Sequence, residues 1–173
     1  MAATRFKLSR DARSLDFHQK TLLSDEFGIG FAGLVLEDRF GAEEAVDISI
    51  ALGEPQNYQN FAQTGGTQPD YLMWSEAPTS PYFVVECKGS QTKQSTSIDQ
   101  IRRGLEQVPS IVFGTGTRDV ITLVIATCLQ GQGTTIFIVD PPPGESEPPD
   151  RSKNKSDDKV SESLSESVRK HGA

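Results

Sequence analysis

Pro81-Tyr82-Phe83-Val84-Val85-Glu86-Cys87-Lys88 is the stretch whose reading decides the fold. Phe83, Val84 and Val85 form an apolar run that Pro81 opens and Gly89 closes, the pattern of a short buried strand. Glu86 and Lys88 stand at its end. Side chains alternate across a strand, so these two share a face. Burying an ionised group unpaired is costly, so the pair needs a partner, a solvent opening or a metal. A plain Glu–Lys ion pair meets the same need, and the stretch alone does not separate these readings.

Working outward, Thr67 to Trp74 reads as a turn running into a second strand with Asp70 at its start. The link from Glu76 to Pro81 is short enough to predict an antiparallel hairpin. Before it, Ala45 to Leu52 alternates, with Val46, Ile48, Ile50 and Leu52 on one face, which predicts a half-buried strand. Gly53 to Gly66 reads as a polar loop. Upstream, Ser24 as N-cap with Asp25 and Glu26 behind it predicts a helix from about Asp25 to Arg39, ended by Gly41. That helix is apolar nearly all round, as a buried helix is. One stripe differs: Glu26, Gly30, Gly33 and Glu37 lie on one face, where bare backbone would admit a strand, a metal or a substrate, or simply pack tightly on a sheet.

Downstream, Ser95 or Ser97 is expected to cap a second helix, Ile98 to Val108, stopped by Pro109. Gln100, Arg103 and Gln107 share one of its faces. Asp119–Thr127 and Thr134–Val139 are β-prone and nearly continuously apolar, as strands covered on both faces are. The expected organisation is an arm or short helix over 1–23, an α/β domain over 24–140, and a disordered polar tail over 141–173 that begins at Pro141-Pro142-Pro143.

The chain has 173 residues and a net charge of −7, enough for one domain with a usable core. No apolar run reaches the roughly 20 residues that cross a bilayer, and the N-terminus lacks a signal-peptide core. Cys87 and Cys128 are expected as buried thiols of a cytoplasmic protein. Two His and two Cys, widely scattered, make no zinc site. The acidic balance does not suit a protein that coats nucleic acid, yet local charge decides where phosphate docks. Arg5, Lys7, Arg10 and Arg13 form one basic cluster, and Lys93, Arg102 and Arg103 a second. For any single residue of either cluster, ordinary solvated charge is the default reading. No phosphate-binding Gly-rich loop, nucleophile elbow or Cys–His pairing supports other chemistries.

If the second and third strands are neighbours, Asp70, Glu86 and Lys88 meet at one sheet edge. The two carboxylates and the Cys87 backbone carbonyl are hard oxygen ligands suited to Mg²⁺ or Mn²⁺. Glu37, or else Glu26, could add a carboxylate from the first helix. Gln100 and Gln107 could orient water or phosphate, and Lys88 could hold the attacking water or stabilise phosphoryl charge.

Pro69-Asp70 followed sixteen positions later by Glu86-Cys87-Lys88 resembles the PD-(D/E)xK signature of the restriction-endonuclease-like superfamily. The flanking Gly65-Gly66 and Gly89-Ser90, the Gln100-bearing helix and the expected αβββαβ order are similar to that superfamily's core, a mixed central sheet flanked by helices, over about residues 24–140. The resemblance implies Mg²⁺-dependent hydrolysis of phosphodiester bonds, usually in DNA, as in restriction and phage defence. Asp70 and Glu86 would match the metal carboxylates, Lys88 the catalytic lysine and Glu37 the helix acid. Two-strand cleavage would favour a homodimer, and the tail could join a partner protein. The competing expectation is a catalytically inactive module of the same fold that binds nucleic acid or a protein. A third is a purely structural α/β domain in which Glu86 and Lys88 form an ion pair.

Overall fold

The computed structural model describes residues 6–54, 57–58, 61–64, 67–77, 79–108, 111–113 and 118–141. The expectations for the 141–173 tail beyond Pro141, and for Gly65-Gly66 and Pro109, lie outside them. A 3-10 turn, Asp11–Arg13, precedes the long helix α1, Phe17–Phe40. Then follow β1 (Glu44–Asp47), the short helix α2 (Ile48–Gly53), β2 (Phe61–Gln63), β3 (Tyr71–Trp74), β4 (Tyr82–Ser90), α3 (Gln94–Gln107), β5 (Ile111–Phe113), β6 (Val120–Gln130) and β7 (Gly133–Val139). The protein is α/β, with a five-stranded mixed sheet in the order β1-β3-β4-β6-β7 and a separate β2-β5 pair.

The hairpin expected between the Asp70 and Glu86 strands is present: β3 and β4 are antiparallel, with Tyr71 opposite Val85. β4 then runs parallel to β6 through the α3 crossover, with Glu86 opposite Val124. β4 is therefore the central strand, and alternation sends its side chains to two cores. Phe83, Val85 and Cys87 pack with Ala32 and Leu36 of α1. Tyr82 and Val84 pack with Ile101 of α3 and Ile48 and Ala51 of α2.

Several boundaries differ from the sequence reading. α1 begins eight residues before the expected Asp25. Its cap is Asp16, whose carboxylate accepts the Gln19 amide at 2.8 Å, while the Gln19 side chain accepts the Asp16 amide at 3.1 Å. This is a capping box, written in the sequence as Asp-x-x-Gln. Ser24 lies mid-helix and donates its hydroxyl back to the Lys20 carbonyl. Residues 6–23 are tied into the same body: the Leu8 amide donates to the Gln130 carbonyl and the Thr134 hydroxyl to the Phe6 carbonyl. The expected strand Ala45–Leu52 ends at Asp47, whose carboxylate accepts the Ser49 amide at 2.7 Å and starts α2. Apolar alternation looked the same, but Ile48 and Ala51 are the buried residues while Ile50 is exposed, which is a helical spacing. The loop expected over 53–66 contains β2, paired with β5. α3 starts at Gln94, with Lys93 at its N-cap and no side-chain cap; Ser97 is buried inside it. β7 is an edge strand with half-buried residues and Ile138 exposed, not a strand covered on both faces.

The glycines that matter for packing are also not those of the expected stripe. Gly30 and Gly33 face open space. The close approach lies at Gly28 and Gly89. A Cβ on Gly28 would stand 3.0 Å from the Gly89 nitrogen, and one on Gly89 would collide with the Ser24 carbonyl. Backbone meets backbone here, so neither side can yield by changing rotamer. Gly89→Ala is expected to cost about 3 kcal/mol or more as an overpacked contact. Gly30→Ala and Gly33→Ala should each stabilise by roughly 0.5–1 kcal/mol through helix propensity. Urea denaturation of the three variants checks both signs; equal effects would refute this assignment.

Candidate functional site

Glu86 is a charged residue type in the middle of the central strand, and 0% of its surface is exposed. Alternation puts it on the α3 side of the sheet, in line with Val84 and Lys88. Room for it comes from Gly104 of α3, where a Cβ would stand 2.7 Å from Val124 Cγ1 and 3.1 Å from Glu86 Cγ. Lys88 ion-pairs with Glu86 Oε1, and its side chain is 22% exposed. Glu86 Oε2 has no hydrogen-bond partner. An orphaned carboxylate oxygen in a dry site is costly unless it is protonated or meets a cation.

Asp70 immediately precedes β3, beside this carboxylate. Its backbone amide donates to the Val85 carbonyl at 3.1 Å, and its Oδ2 accepts the Cys87 amide at 2.7 Å. Within a strand, the N–H and C=O of one residue point to the same edge. The Cys87 carbonyl is thus directed at the β3 edge, past the first paired residue of β3. The hairpin register thus places the Asp70 carboxylate on the Cys87 amide, next to the Glu86–Lys88 pair, at the junction of two interior strands and not at an edge of the sheet. The Cys87 side chain goes to the other face, where the thiol is buried and free.

Burial raises the Glu86 pKa from 4.5 to about 7, against the lowering influence of the Lys88 ammonium. Burial also raises that of Asp70, opposed by the Cys87 amide and by Lys88, and reinforced by the carboxylates of Asp47 and Asp25. The Cys87 thiol is pushed up by burial and by the negative charge of Asp70 and Glu86, so it stays protonated. Tyr71 is raised by burial first, then by neighbours that include Asp70, Asp47 and Glu26.

The acid of α1 that bears on Asp70 is thus Asp25, whose backbone lies beside Gly89, while Glu26 bears on Tyr71. Glu37 is exposed and lies about 14 Å further along the helix axis from Gly28, so it is not brought to the cluster. Neither Asp25 nor Asp47 was singled out from sequence. Asp47 was legible only as a polar residue within an alternating run, and Asp25 only as a first-turn acid of a helix that begins earlier. Gln100 and Gln107 of α3 act as ties: they donate to the Gly89 carbonyl at 3.0 Å and the Gln68 carbonyl at 3.1 Å. Arg102 and Arg103 are exposed on α3, Arg102 within 3.5 Å of Asp99, and Lys93 is exposed at the helix start.

For a divalent cation the donor set is hard: the second oxygen of Asp70, Glu86 Oε2 and the Cys87 carbonyl, with waters to complete the shell. That fits Mg²⁺ or Mn²⁺, which commonly use one or two carboxylates. Among the described residues there is no group of three His, Cys, Asp or Glu side chains placed to hold a metal ion; in this donor set the third ligand would be the backbone carbonyl. Among the described residues no helix is long and apolar enough to cross a membrane.

The raised pKa has a thermodynamic consequence. Glu86 favours the folded state fully below pH 4.5, and that contribution is lost as pH rises through about 7. The shift corresponds to roughly 3 kcal/mol. In EDTA, wild-type stability should fall across this window, and Glu86→Gln should remove the fall and be the more stable protein at pH 8. Denaturant titrations at pH 4.5 and pH 8 measure this; parallel curves for the two proteins would contradict a dry, ionisable Glu86.

No family model matches the chain, and no curated protein or solved structure matches it.

Proposed function

We propose that the protein is a metal-dependent nuclease of the PD-(D/E)xK kind, hydrolysing phosphodiester bonds in nucleic acid, DNA being the substrate usual for that superfamily. The observation that carries this reading is the buried Glu86 carboxylate, one oxygen orphaned, beside Asp70 and Lys88 at the seam of β3 and β4. A structural pair would gain nothing from that arrangement, since an apolar pair of similar volume is often as stable or more so. The element order supports it as well: with α2 and the β2–β5 pair set aside as additions, α1, β1, β3, β4, α3 and the parallel β6 resemble the αβββαβ order expected of that superfamily's core.

A divalent cation bound by Asp70, Glu86 and the Cys87 carbonyl would supply Lewis-acid polarisation and a water of lowered pKa. The residues do the rest. Glu86 must be ionised to serve as a ligand, so cation affinity should rise as pH passes about 7. Asp70 is held in place by the Cys87 amide, which leaves its other oxygen for the site. Lys88, released from Glu86 by a bound cation, would place its ammonium against phosphoryl oxygens as they gain charge. In the hydrolysis, water adds to phosphorus, one P–O bond to the sugar breaks, and the departing oxygen takes a proton.

A second reading, an inactive module of the same fold, is favoured by the Lys88–Glu86 ion pair and by the lack of a three-side-chain metal cluster among the described residues. One assay separates the two. Plasmid, linear duplex, single-stranded DNA and RNA are incubated with Mg²⁺, Mn²⁺ or EDTA. Cleavage is expected with metal only, and Asp70→Ala or Lys88→Ala should each lower it by 10²-fold or more while the circular dichroism spectrum is kept. Calorimetric Mn²⁺ titration of wild type against Glu86→Gln should show binding lost in the variant, and tighter wild-type binding at pH 8 than at pH 6. Absence of both cleavage and metal binding would sink the nuclease reading in favour of the inactive module.

A further inference from the structure

A groove of about 1080 Å³ opens at the end of β4, between the 8–12 segment, the first half of α1, the start of α3 and the β6–β7 turn. It begins where the candidate site stops: Gly89 follows Lys88 directly, and Asp25 and Gln100 line it. We propose that this groove takes an unpaired, single-stranded segment of nucleic acid and presents it to the Asp70–Glu86–Lys88 site; the proposal rests on the nuclease reading and names its substrate class.

Three observations carry it. The first is the chemistry of the glutamines. Gln91, Gln100 and Gln130 each donate from Nε2 to a backbone carbonyl, of Lys20, Gly89 and Thr92 respectively. A carbonyl only accepts, so the orientation of each amide is settled. In each amide one of the two N–H donors is engaged with the protein. Gln100 Oε1 is buried without a partner, and Gln130 Oε1 accepts from Gln132. Amide oxygens repel phosphate but accept from the amino and imino groups of bases. In a duplex the Watson–Crick edges that carry those groups are occupied; in a single strand they are open. The second observation is Phe17, the first residue of α1, which lines the groove and is 86% exposed. Among the described residues it makes no ring contact, and a solvated aromatic at the wall of an open groove is a stacking platform for a base. The third is local charge. The groove wall carries Arg10 and Lys20 against the single acid Asp25, in a chain whose net charge is −7. Those cations suit a backbone that passes along the rim.

The test reads binding, not turnover. The full chain in EDTA is titrated by fluorescence anisotropy into one fluorescein-labelled oligonucleotide of mixed sequence, offered as single-stranded DNA, single-stranded RNA and blunt DNA duplex. Single strands should bind more tightly than the duplex, and the DNA and RNA arms show which sugar is preferred. Phe17→Ala should weaken single-strand binding roughly tenfold, and Phe17→Trp should restore it. The residue is nearly fully exposed, so the fold is not at risk. Duplex binding as tight as single-strand binding, or affinity unchanged in Phe17→Ala, overturns the proposal. Because no metal is present, loss of binding here and loss of cleavage in the assay above are separate results. Binding retained in a protein that neither cuts nucleic acid nor binds Mn²⁺ would keep the groove and reject the nuclease.

Discussion

A carboxylate without exposed surface in the central strand is the constraint around which the protein is arranged. Glu86 cannot be dry and ionised without compensation, and its neighbours divide that task. Lys88 meets one oxygen, Gly104 makes room on the α3 side, and Asp70 is fixed alongside by the Cys87 amide. The second oxygen is left unpaired and the pKa sits near neutrality. A site of this kind is unstable with respect to its own charge. It favours either a proton or a cation, and the surrounding acids Asp70, Asp47 and Asp25 deepen that preference.

The second organising contact is steric. Gly28 and Gly89 let α1 and β4 approach until backbone touches backbone. That contact sets the height at which α1 crosses the sheet, and so decides which of its acids reach the site. With the contact at Gly28, the first half of the helix faces the end of β4, and Glu37 is carried away from it. Ser24 and Gly89, whose backbones meet beside that contact, line the groove at the end of β4. The strand expected to end at Gly89 runs on to Ser90, where it still pairs with Cys128 of β6.

Much of the candidate site was legible from one stretch. The apolar run closed by Glu-x-Lys marks a buried strand with polar residues on one face, and a short link to the Asp70 strand allows little other than a hairpin. Helix starts were less legible. Ser24 and Ser95 or Ser97 looked like caps, yet Asp16 with Gln19 makes the capping box of α1 and Lys93 begins α3 without a side-chain cap. Alternation over Ala45–Leu52 suggested one strand, because a single helical turn cannot be told from a strand when apolar residues are dense. The carboxylate of Asp47, bonded to the Ser49 amide, ends the strand there.

Local chemistry in the sequence thus determined the α/β class, the β3–β4 hairpin and the presence of Asp70, Glu86 and Lys88 on adjacent strands. These follow from side-chain alternation and chain connectivity, which act over a few residues. Only the tertiary structure decided which glycines are needed, which α1 acids lie near the site, that the Gln100 and Gln107 side chains are bonded to backbone carbonyls, and that a groove opens beside Gly89 and Ser90. Those depend on the distance and rotation at which helices meet the sheet. That geometry is set by volume and backbone contact summed over both cores, and no short stretch of sequence carries it.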